Sequence, residues 1–314
     1  MTATAGRDRA SGTTARTLAQ AKVNLFLRVL AREADGYHQL ETLFCRLELG
    51  DDVAVRVGVG GRSLDCTGDT LPSPALGPME RNLAWRAAVS YADATGWPND
   101  WAIEIVKRIP VGGGLGGGSA DAGAVLRCLN RLAPSPLSDA ELVALAAPLG
   151  ADVPFLTTGD PLALGWGRGE RLLALPPLPS RAVTLVCFPF GVPTPDAYRW
   201  LDGSKTVTPR EARRLSIDAL TTWDSVARLA HNDFEAVVAP RYPEIERVLD
   251  ALRAGSARDR DQSAEAITLL AGSGATVFAV TSAPEEAMTM PHGTSARFVH
   301  TRTASRVVAV GVSD

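Results

Sequence analysis

The sequence lacks the features that build a membrane protein or a nucleic-acid binder. Its longest apolar stretches, residues 140–149 and 182–188, fall well short of the roughly 20 residues that span a bilayer. The chain has 32 Lys and Arg residues and 35 Asp and Glu residues. The resulting net charge of −3 lacks the excess of positive charge that is typical of a protein that binds a polynucleotide. We therefore expect neither a membrane nor a nucleic acid as a partner.

Cysteine is scarce, and the N-terminal segment has no apolar core. The four cysteines show no Cys-x-x-Cys spacing, which argues against a zinc site and against a disulfide framework. Residues 1–16 are rich in Thr, Ala, Ser and Arg, so they are predicted to be a disordered tail rather than a secretion signal. Reduced thiols and the missing signal predict a cytoplasmic protein.

The composition is that of a globular chain with an ample core. It has 314 residues, of which 46% are hydrophobic and 21% charged, enough for one large or two medium domains. Hydrophobic periodicity predicts strands at 17–30, 38–49, 53–59, 101–108, 182–188, 276–281 and 306–312. It predicts helices at 82–95, 119–132, 138–149, 225–238 and 244–253. The two kinds of element do not alternate regularly, which favours an α+β fold.

The strongest local signal is a glycine-rich loop between a predicted strand and a predicted helix. Six of the seven residues at positions 112–118 are glycine, which leaves backbone N–H groups unshielded next to the positive end of a helix dipole. Such a loop cradles phosphates. A flexible linker is the alternative, but it does not explain the position of the run between a strand and a helix.

Two common phosphate-binding patterns do not fit this loop. No Lys precedes Ser119, so the P-loop pattern fails. Gly112, Gly114 and Gly117 match the dinucleotide pattern Gly-x-Gly-x-x-Gly, but a tract this rich in glycine matches it almost automatically. That pattern also needs an acidic residue at the end of the next strand, and the acidic residues at that distance begin a predicted helix instead.

Residues 110–120 resemble the second motif of the GHMP small-molecule kinases. Three further stretches, 21–27, 35–44 and 150–155, narrow the resemblance to the branch that acts on a CDP-linked methylerythritol. Residues 271–276 are similar to the family's third motif, although Leu270-Ala271 stands where a hydroxyl residue is common, and the charged insert 257–265 is unusual. The resemblance implies two domains. Residues 17–175 would form a nucleotide domain like ribosomal protein S5, and residues 176–314 a ferredoxin-like substrate domain.

The chemistry of an alcohol kinase requires a proton acceptor and a cation. Asp152 is the candidate base because it lies just beyond a helix that Gly150 is predicted to end. Lys22, on the polar face of the first predicted strand, is its candidate partner. Singly, such residues are ordinarily a turn aspartate and a solvated lysine. Together with the ordered motifs they are predicted to be catalytic, and the resemblance assigns the same roles.

The resemblance also implies ATP as co-substrate, Mg²⁺, and two sets of contacts. Asn82, which could be only a helix N-cap, and the loop would contact ATP; the loop residues are Pro110, Val111, Gly112, Gly113, Gly114, Leu115, Gly116, Gly117, Gly118, Ser119 and Ala120. The substrate contacts would be Asn24, Tyr37, His38, Thr194 and Tyr198, the two tyrosines serving as stacking platforms for cytosine. Ser119 is the best candidate for a protein ligand of Mg²⁺.

The implied reaction is transfer of the γ-phosphoryl group of ATP to the 2-hydroxyl group of the CDP-linked methylerythritol, in the non-mevalonate route to isoprenoids. Three alternatives stay open. They are another GHMP kinase acting on mevalonate, homoserine or a sugar, a nucleotide-binding module without catalysis, and, more distantly, a dinucleotide-dependent oxidoreductase. The stretch Asp35-Gly36-Tyr37-His38 favours the CDP-alcohol branch. The oligomeric state stays open between a monomer and a weak homodimer.

Overall fold

A computed structural model describes residues 12–71, 77–204, 215–258, 266–282 and 295–313. The strands are β1 (Thr14–Arg32), β2 (His38–Arg56), β3 (Arg62–Thr67), β4 (Trp101–Val106), β5 (Leu162–Gly167), β6 (Arg171–Leu175), β7 (Ala182–Cys187), β8 (His231–Asn232), β9 (Ile267–Leu270), β10 (Val277–Thr281), β11 (Arg297–Arg302) and β12 (Gly311–Ser313). The helices are α1 (Leu83–Thr95), α2 (Gly117–Leu132), α3 (Asp139–Ala146), α4 (Val153–Thr157), α5 (Thr194–Asp202), α6 (Trp223–Leu229), α7 (Glu235–Val238) and α8 (Pro243–Arg258).

The strands form two sheets. The larger has eight strands, with β12, β1, β2, β4 and β3 in that order, β5 and β6 continuing from β2, and β8 beside β1. The smaller has the order β11-β7-β10-β9 and is antiparallel throughout. Numbered along the chain, this order is 4-1-3-2, that of a ferredoxin-like sheet. The predicted α+β class is confirmed. A domain division near residue 175 stays our proposal. It is supported by the change of sheet at this point, because β6 of the larger sheet ends at Leu175 and the next strand, β7 of the smaller sheet, begins at Ala182.

Helix α2 brings the glycine loop and the segment after Gly150 to one place. Residues 122–124, which are all buried, are Ala, Gly and Ala, and the helix packs on β1, α1 and α4. A Cβ atom on Gly123 would lie 2.5 Å from the carbonyl oxygen of Leu156, so only glycine allows this approach. The close packing sets α4, and Asp152 immediately before it, beside the first turn of α2.

Most predicted strands and helices are present, with corrected boundaries. The strands predicted at 38–49 and 53–59 are the single strand β2. The capping box of Ser138 and Glu141 is confirmed, but α3 ends at Ala146 and a 3₁₀ turn follows to Leu149. Gly150 then has an extended φ of 161° rather than the left-handed conformation of a helix-ending glycine. The prediction of a disordered tail over residues 1–16 is wrong for Thr14 to Arg16, which pair with β12; residues 1–11 lie outside the described part.

Two predictions in the C-terminal half were wrong because tertiary hydrogen bonds override local pattern. The helix predicted at 225–238 is interrupted between α6 and α7. There the Asn232 amide donates to the carbonyl oxygens of Leu270 and Gly272, and the Asp233 carboxylate accepts the N–H of Val29. Of the strand predicted at 306–312, only the last two residues lie in β12. Before them, the Gln20 side chain donates to the carbonyl oxygen of Arg306 and accepts the N–H of Val308, so these backbone groups are not paired with a strand.

Several strands were missed, namely β3, β5, β6, β8, β9 and β11. The hairpin of β5 and β6 was hidden because its glycines indicated a loop. Gly165 lies so close to Phe44 that a Cβ atom would come within 2.7 Å of the ring. Gly167 and Gly169 have φ of 73° and 108° in the turn, a region open to glycine at little cost. Part of the insert predicted at 257–265 falls outside the described residues.

No helix in the described ranges has the length and apolar character to cross a membrane.

Candidate active site

The glycine loop ends in the first turn of α2. The helix begins at Gly117, two residues before the predicted start, and Gly116 precedes it with a φ of 72°. The first N–H groups of an α-helix have no partner inside the helix, so those of Gly117, Gly118 and Ser119 are available to an anion at the positive end of the dipole. The N–H of Ala120 instead donates to the carbonyl oxygen of Gly116 at 2.7 Å.

Two neighbouring segments fix the shape of the loop. The N–H of Lys22 donates to the carbonyl oxygen of Leu115 at 3.0 Å, and the N–H of Thr276 donates to that of Gly113 at 3.2 Å. Gly114 has a φ of 78°, and a Cβ atom there would lie 2.0 Å from the carbonyl oxygen of Ala271. The backbone of the glycine loop therefore contacts the backbone of the third motif, residues 271–276, and the contact is tightest at Gly114.

We expect Gly114→Ala to disrupt this contact. The added methyl group collides with a backbone oxygen, and a left-handed φ costs alanine about 1–2 kcal/mol. The thermal unfolding midpoint should fall and the affinity for ATP should weaken about tenfold or more, since 1.4 kcal/mol is tenfold in an equilibrium constant. Calorimetry and nucleotide titration measure both. Gly118→Ala is the matched control for stability, because its Cβ atom would meet nothing closer than Leu83 at 3.8 Å; equal unfolding midpoints in the two variants would contradict the expectation.

Lys22 and Asp152 form an ion pair beside this loop. Nζ of Lys22 lies 3.2 Å from Oδ2 of Asp152, with 4% and 29% of the two side chains exposed. The same Nζ donates to Oδ1 of Asn24 at 2.9 Å. The ammonium group is thus desolvated and held by two oxygen atoms, while the carboxylate keeps a solvent-facing part. Lys22, Asn24 and Asp152 all line a cleft of about 470 Å³ that the glycine loop also lines.

Arg46 secures the short helix that follows Asp152. This arginine is fully buried on β2, and its guanidinium donates to the carbonyl oxygens of Phe155, Thr158 and Asp160. The guanidinium also lies 5.0 Å from the centre of the Phe155 ring. Burial lowers the pKa of Arg46 to about 9, and the group still carries its charge at neutral pH. The end of α4 is therefore bound to the sheet, which limits the positions open to Asp152.

A second buried charge cluster lies under the start of α2. Nζ of Lys107 donates to Oδ2 of Asp51 at 2.5 Å and to Oδ2 of Asp121 at 2.6 Å. Oδ1 of Asp51 accepts the N–H of Ile109 at 2.8 Å, whereas Oδ1 of Asp121 is buried without a hydrogen-bond partner. Burial raises the pKa of Asp121 to about 7; the carboxylate of Asp51 adds to the shift and Lys107 opposes it.

This cluster makes the stability depend on pH. An Asp carboxyl group whose pKa is 3.8 in the unfolded chain and about 7 in the fold binds its proton more tightly when folded, so the free energy of unfolding falls as pH rises from about 4 to about 7. Asp121→Asn has no such proton and should lose less stability over that range. Urea unfolding at several pH values tests this, with the surface variant Asp139→Asn as control. A loss in Asp121→Asn as large as in the wild type would contradict it.

The residues predicted to bind cytidine lie around a second cavity of about 890 Å³. His38 stacks on Tyr198 with ring centroids 4.5 Å apart, and its Nε2 lies 2.6 Å from Oδ1 of Asp202. Tyr37 is 60% exposed, with the Arg168 guanidinium 4.1 Å from its ring centroid. Tyr198 lines both cavities. Burial raises its pKa to about 12, and the Asp152 carboxylate contributes, so the phenol keeps its proton at neutral pH.

The remaining predicted residues lie at the rim of the first cleft. Asn82 is the N-cap of α1, accepting the N–H of Ala84 at 2.9 Å, and it also lines the cleft. Thr194 begins α5, and its hydroxyl lies 2.9 Å from that of Ser273. Ser273 therefore brings a hydroxyl group to the third motif, which lacks one at Ala271.

The structure collects most of the predicted residues in the first cleft, whose lining includes Lys22, Asn24, Asn82, Pro110, Val111, Gly112, Gly113, Gly114, Leu115, Gly116, Gly117, Gly118, Ser119, Asp152, Thr194 and Tyr198. Ala120 is instead buried inside α2. Sequence reasoning missed several polar residues that line the two cavities, among them Thr42, Lys107, Asp121, Asp202 and Ser273. Thr42 and Ser273 lay within recognised motifs and could have been found there, whereas Lys107, Asp121 and Asp202 depend on partners far away in the chain.

Comparison with known proteins finds a matching domain, similar sequences and similar folds. Residues 82–160 match the domain described as the GHMP kinases N terminal domain. A relative from Moorella thermoacetica, named 4-diphosphocytidyl-2-C-methyl-D-erythritol kinase, is 40% identical over 86% of this chain and 90% of its own length. A crystal structure of 4-(cytidine 5'-diphospho)-2C-methyl-D-erythritol kinase has a TM-score of 0.64 and 36% identity, covering 84% of this chain and 89% of that one. A homoserine kinase from Cytophaga hutchinsonii, 17% identical and also at a TM-score of 0.64, covers 99% of this chain and 100% of its own and shares the fold.

Proposed function

Because the chain belongs to the family of 4-diphosphocytidyl-2-C-methyl-D-erythritol kinases, a branch of the GHMP kinases, we propose that it transfers the γ-phosphoryl group of ATP to the 2-hydroxyl group of the CDP-linked methylerythritol. The product would be the 2-phosphate of that CDP-alcohol, with ADP released, on the non-mevalonate route to isoprenoids. The observation that carries the proposal is the Lys22–Asp152 pair, which lines the same cleft as the phosphate-binding loop.

The two cavities can bind different parts of one substrate. The first holds the glycine loop and the charged pair, and the second holds Tyr37 and His38. Tyr198 lines both, so an extended molecule can place its base in one and its alcohol in the other. A CDP-alcohol has that form, with an aromatic base at one end, a diphosphate, and the reacting hydroxyl group at the other end.

In the transfer step, Asp152 takes the proton of the 2-hydroxyl group as its oxygen attacks the γ-phosphorus. A new phosphorus–oxygen bond forms to the substrate, and the bond to the oxygen bridging the β- and γ-phosphorus breaks, which leaves ADP. Lys22 has three donor protons; one is donated to Asn24, and the ammonium group is ion-paired with Asp152. A remaining proton is available to the transferred group, whose negative charge the ammonium group offsets. No covalent phosphoenzyme is required.

Mg²⁺ enters this proposal together with ATP. Within the described ranges, no three His, Cys, Asp or Glu side chains lie close enough to hold a metal ion by themselves. Ser119 lines the cleft in the first turn of α2, beside N–H groups that can hold phosphate oxygens. Its hydroxyl oxygen is a single protein ligand, which fits an ion held mainly by phosphate oxygens. When bound, the ion would supply charge neutralisation to the phosphates. A Mg-nucleotide complex without contact to Ser119 would remove this residue as a ligand.

Phosphorus NMR tests the reaction directly. The protein is mixed with MgATP and either the CDP-methylerythritol, mevalonate or homoserine. A new phosphomonoester resonance that appears together with ADP only with the CDP-alcohol supports the proposal. Phosphorylation of another acceptor would keep the mechanism and overturn the specificity, whereas ATP binding without transfer to any acceptor would favour a non-catalytic nucleotide-binding module.

A cytoplasmic location, in keeping with the four free cysteines, stays a prediction.

A further inference from the structure

Thr42 has no part in the proposed transfer step, yet it is fully buried beside Asn24, which holds the ammonium group of the catalytic pair. It lies on β2 with no exposed surface and lines the first cleft beside Asn24. Its hydroxyl oxygen lies 2.8 Å from Nδ2 of Asn24 and 2.8 Å from the backbone carbonyl oxygen of Phe26. A buried hydroxyl with two partners constrains both of them.

The direction of each hydrogen bond follows from counting protons. A threonine hydroxyl has a single proton, and a carbonyl oxygen can only accept one. The proton of Thr42 therefore goes to Phe26, and Thr42 must accept from Asn24. Only the NH₂ end of the Asn24 amide can donate, so that end faces Thr42 and the oxygen end faces Nζ of Lys22, 2.9 Å away.

The opposite amide orientation would place an NH₂ group against an ammonium group. Two donors would then face each other in a buried site, and the ammonium would lose one of its two oxygen partners. The two ends of an amide have nearly the same shape, so its partners decide the orientation. The Lys22 ammonium opposes the flipped amide at one end, and Thr42 opposes it at the other, because its single proton goes to Phe26 and only a lone pair faces Asn24.

We infer that Thr42 is a positioning residue for phosphoryl transfer: by fixing the orientation of the Asn24 amide it holds the ammonium group of Lys22 in place against Asp152. This inference rests on the proposed function. Thr42 contributes through Asn24 and Lys22, so its loss disturbs the transition state more than the binding of either substrate. Misplacement of a catalytic group by about 1 Å can cost about 100-fold in rate.

Thr42→Val, which keeps the shape and removes the hydroxyl group, tests the inference against Thr42→Ser, which keeps the hydroxyl group. In Thr42→Val, kcat should fall about 10- to 100-fold, with the KM values for ATP and the CDP-alcohol changed less than about threefold. Thr42→Ser should restore most of kcat. Thr42→Ala gives the same comparison if the valine variant does not fold, and thermal unfolding of each variant records the structural cost separately.

A double-mutant cycle with Asn24→Ala separates positioning from a general loss of stability. Once the amide is gone, Thr42→Val should lower kcat no further. A full additional loss in that background, or a wild-type kcat in folded Thr42→Val, overturns the inference while leaving the proposed function intact. Failure of the wild-type protein to phosphorylate the CDP-alcohol would instead overturn the proposed function.

Discussion

Asp152→Asn should lower kcat by about 10²- to 10⁴-fold, the usual contribution of a general base, while the affinity for ATP stays close to that of the wild type. The amide oxygen can still accept a hydrogen bond from Lys22, which in the wild type lies 3.2 Å from the carboxylate, so the local geometry is largely kept. What is lost is the group that takes the hydroxyl proton. Steady-state kinetics and a nucleotide titration measure the two quantities.

The matched control for this variant is Asp139→Asn. Asp139 is an exposed carboxylate in the first turn of α3, and its neutralisation should leave kcat unchanged. A wild-type kcat in Asp152→Asn would remove Asp152 as the base. A loss of ATP affinity as large as the loss of kcat would show that the carboxylate shapes the nucleotide site rather than the transfer step.

Lys22→Met should reduce kcat about 10²- to 10³-fold, the scale on which removal of one preorganised electrostatic group acts. The side chain is 4% exposed and its ammonium group has two oxygen partners. Methionine has a similar length and no charge, so the space stays filled while Asp152 and the transferred group both lose the cation. Single-turnover measurements with saturating ATP isolate the chemical step.

Two further variants make the result for Lys22 specific. Arg131→Met removes an exposed cation from the last turn of α2 and should leave kcat unchanged. The double variant of Lys22→Met and Asp152→Asn should be little worse than either single one, because groups that act as a unit are not additive. A change confined to the thermal unfolding midpoint would mark Lys22 as a structural residue.

Some parts of the site were readable from the sequence because their causes are local. A run of glycines before a helix exposes N–H groups wherever it occurs, and α2 follows that run in the structure. The Ser138 and Glu141 capping box is likewise complete within four residues, so α3 begins where predicted. The order of the motifs also indicated the family, which the relatives confirm.

Other parts depend on contacts that no local pattern contains. The interruption between α6 and α7 comes from Asn232, whose partners are Leu270 at the end of β9 and Gly272 just after it. The charge cluster at Lys107 needs Asp51 from another strand and Asp121 from α2. Local propensity is a weak prior that such tertiary bonds override, and this is why those elements were predicted wrongly or missed.

The sequence by itself determined the glycine loop, the α+β class and which residues are candidates for the chemistry, because those depend on residue type and near neighbours. Only the tertiary structure decided how they meet. The close approach of α2 to α4 at Gly123 sets the segment of Asp152 beside the glycine loop, and Arg46 fixes the far end of α4. The orientation of Asn24, and with it the position of Lys22, is set by a hydroxyl group on the neighbouring strand. These are distances between groups far apart in the chain, and only close packing determines them.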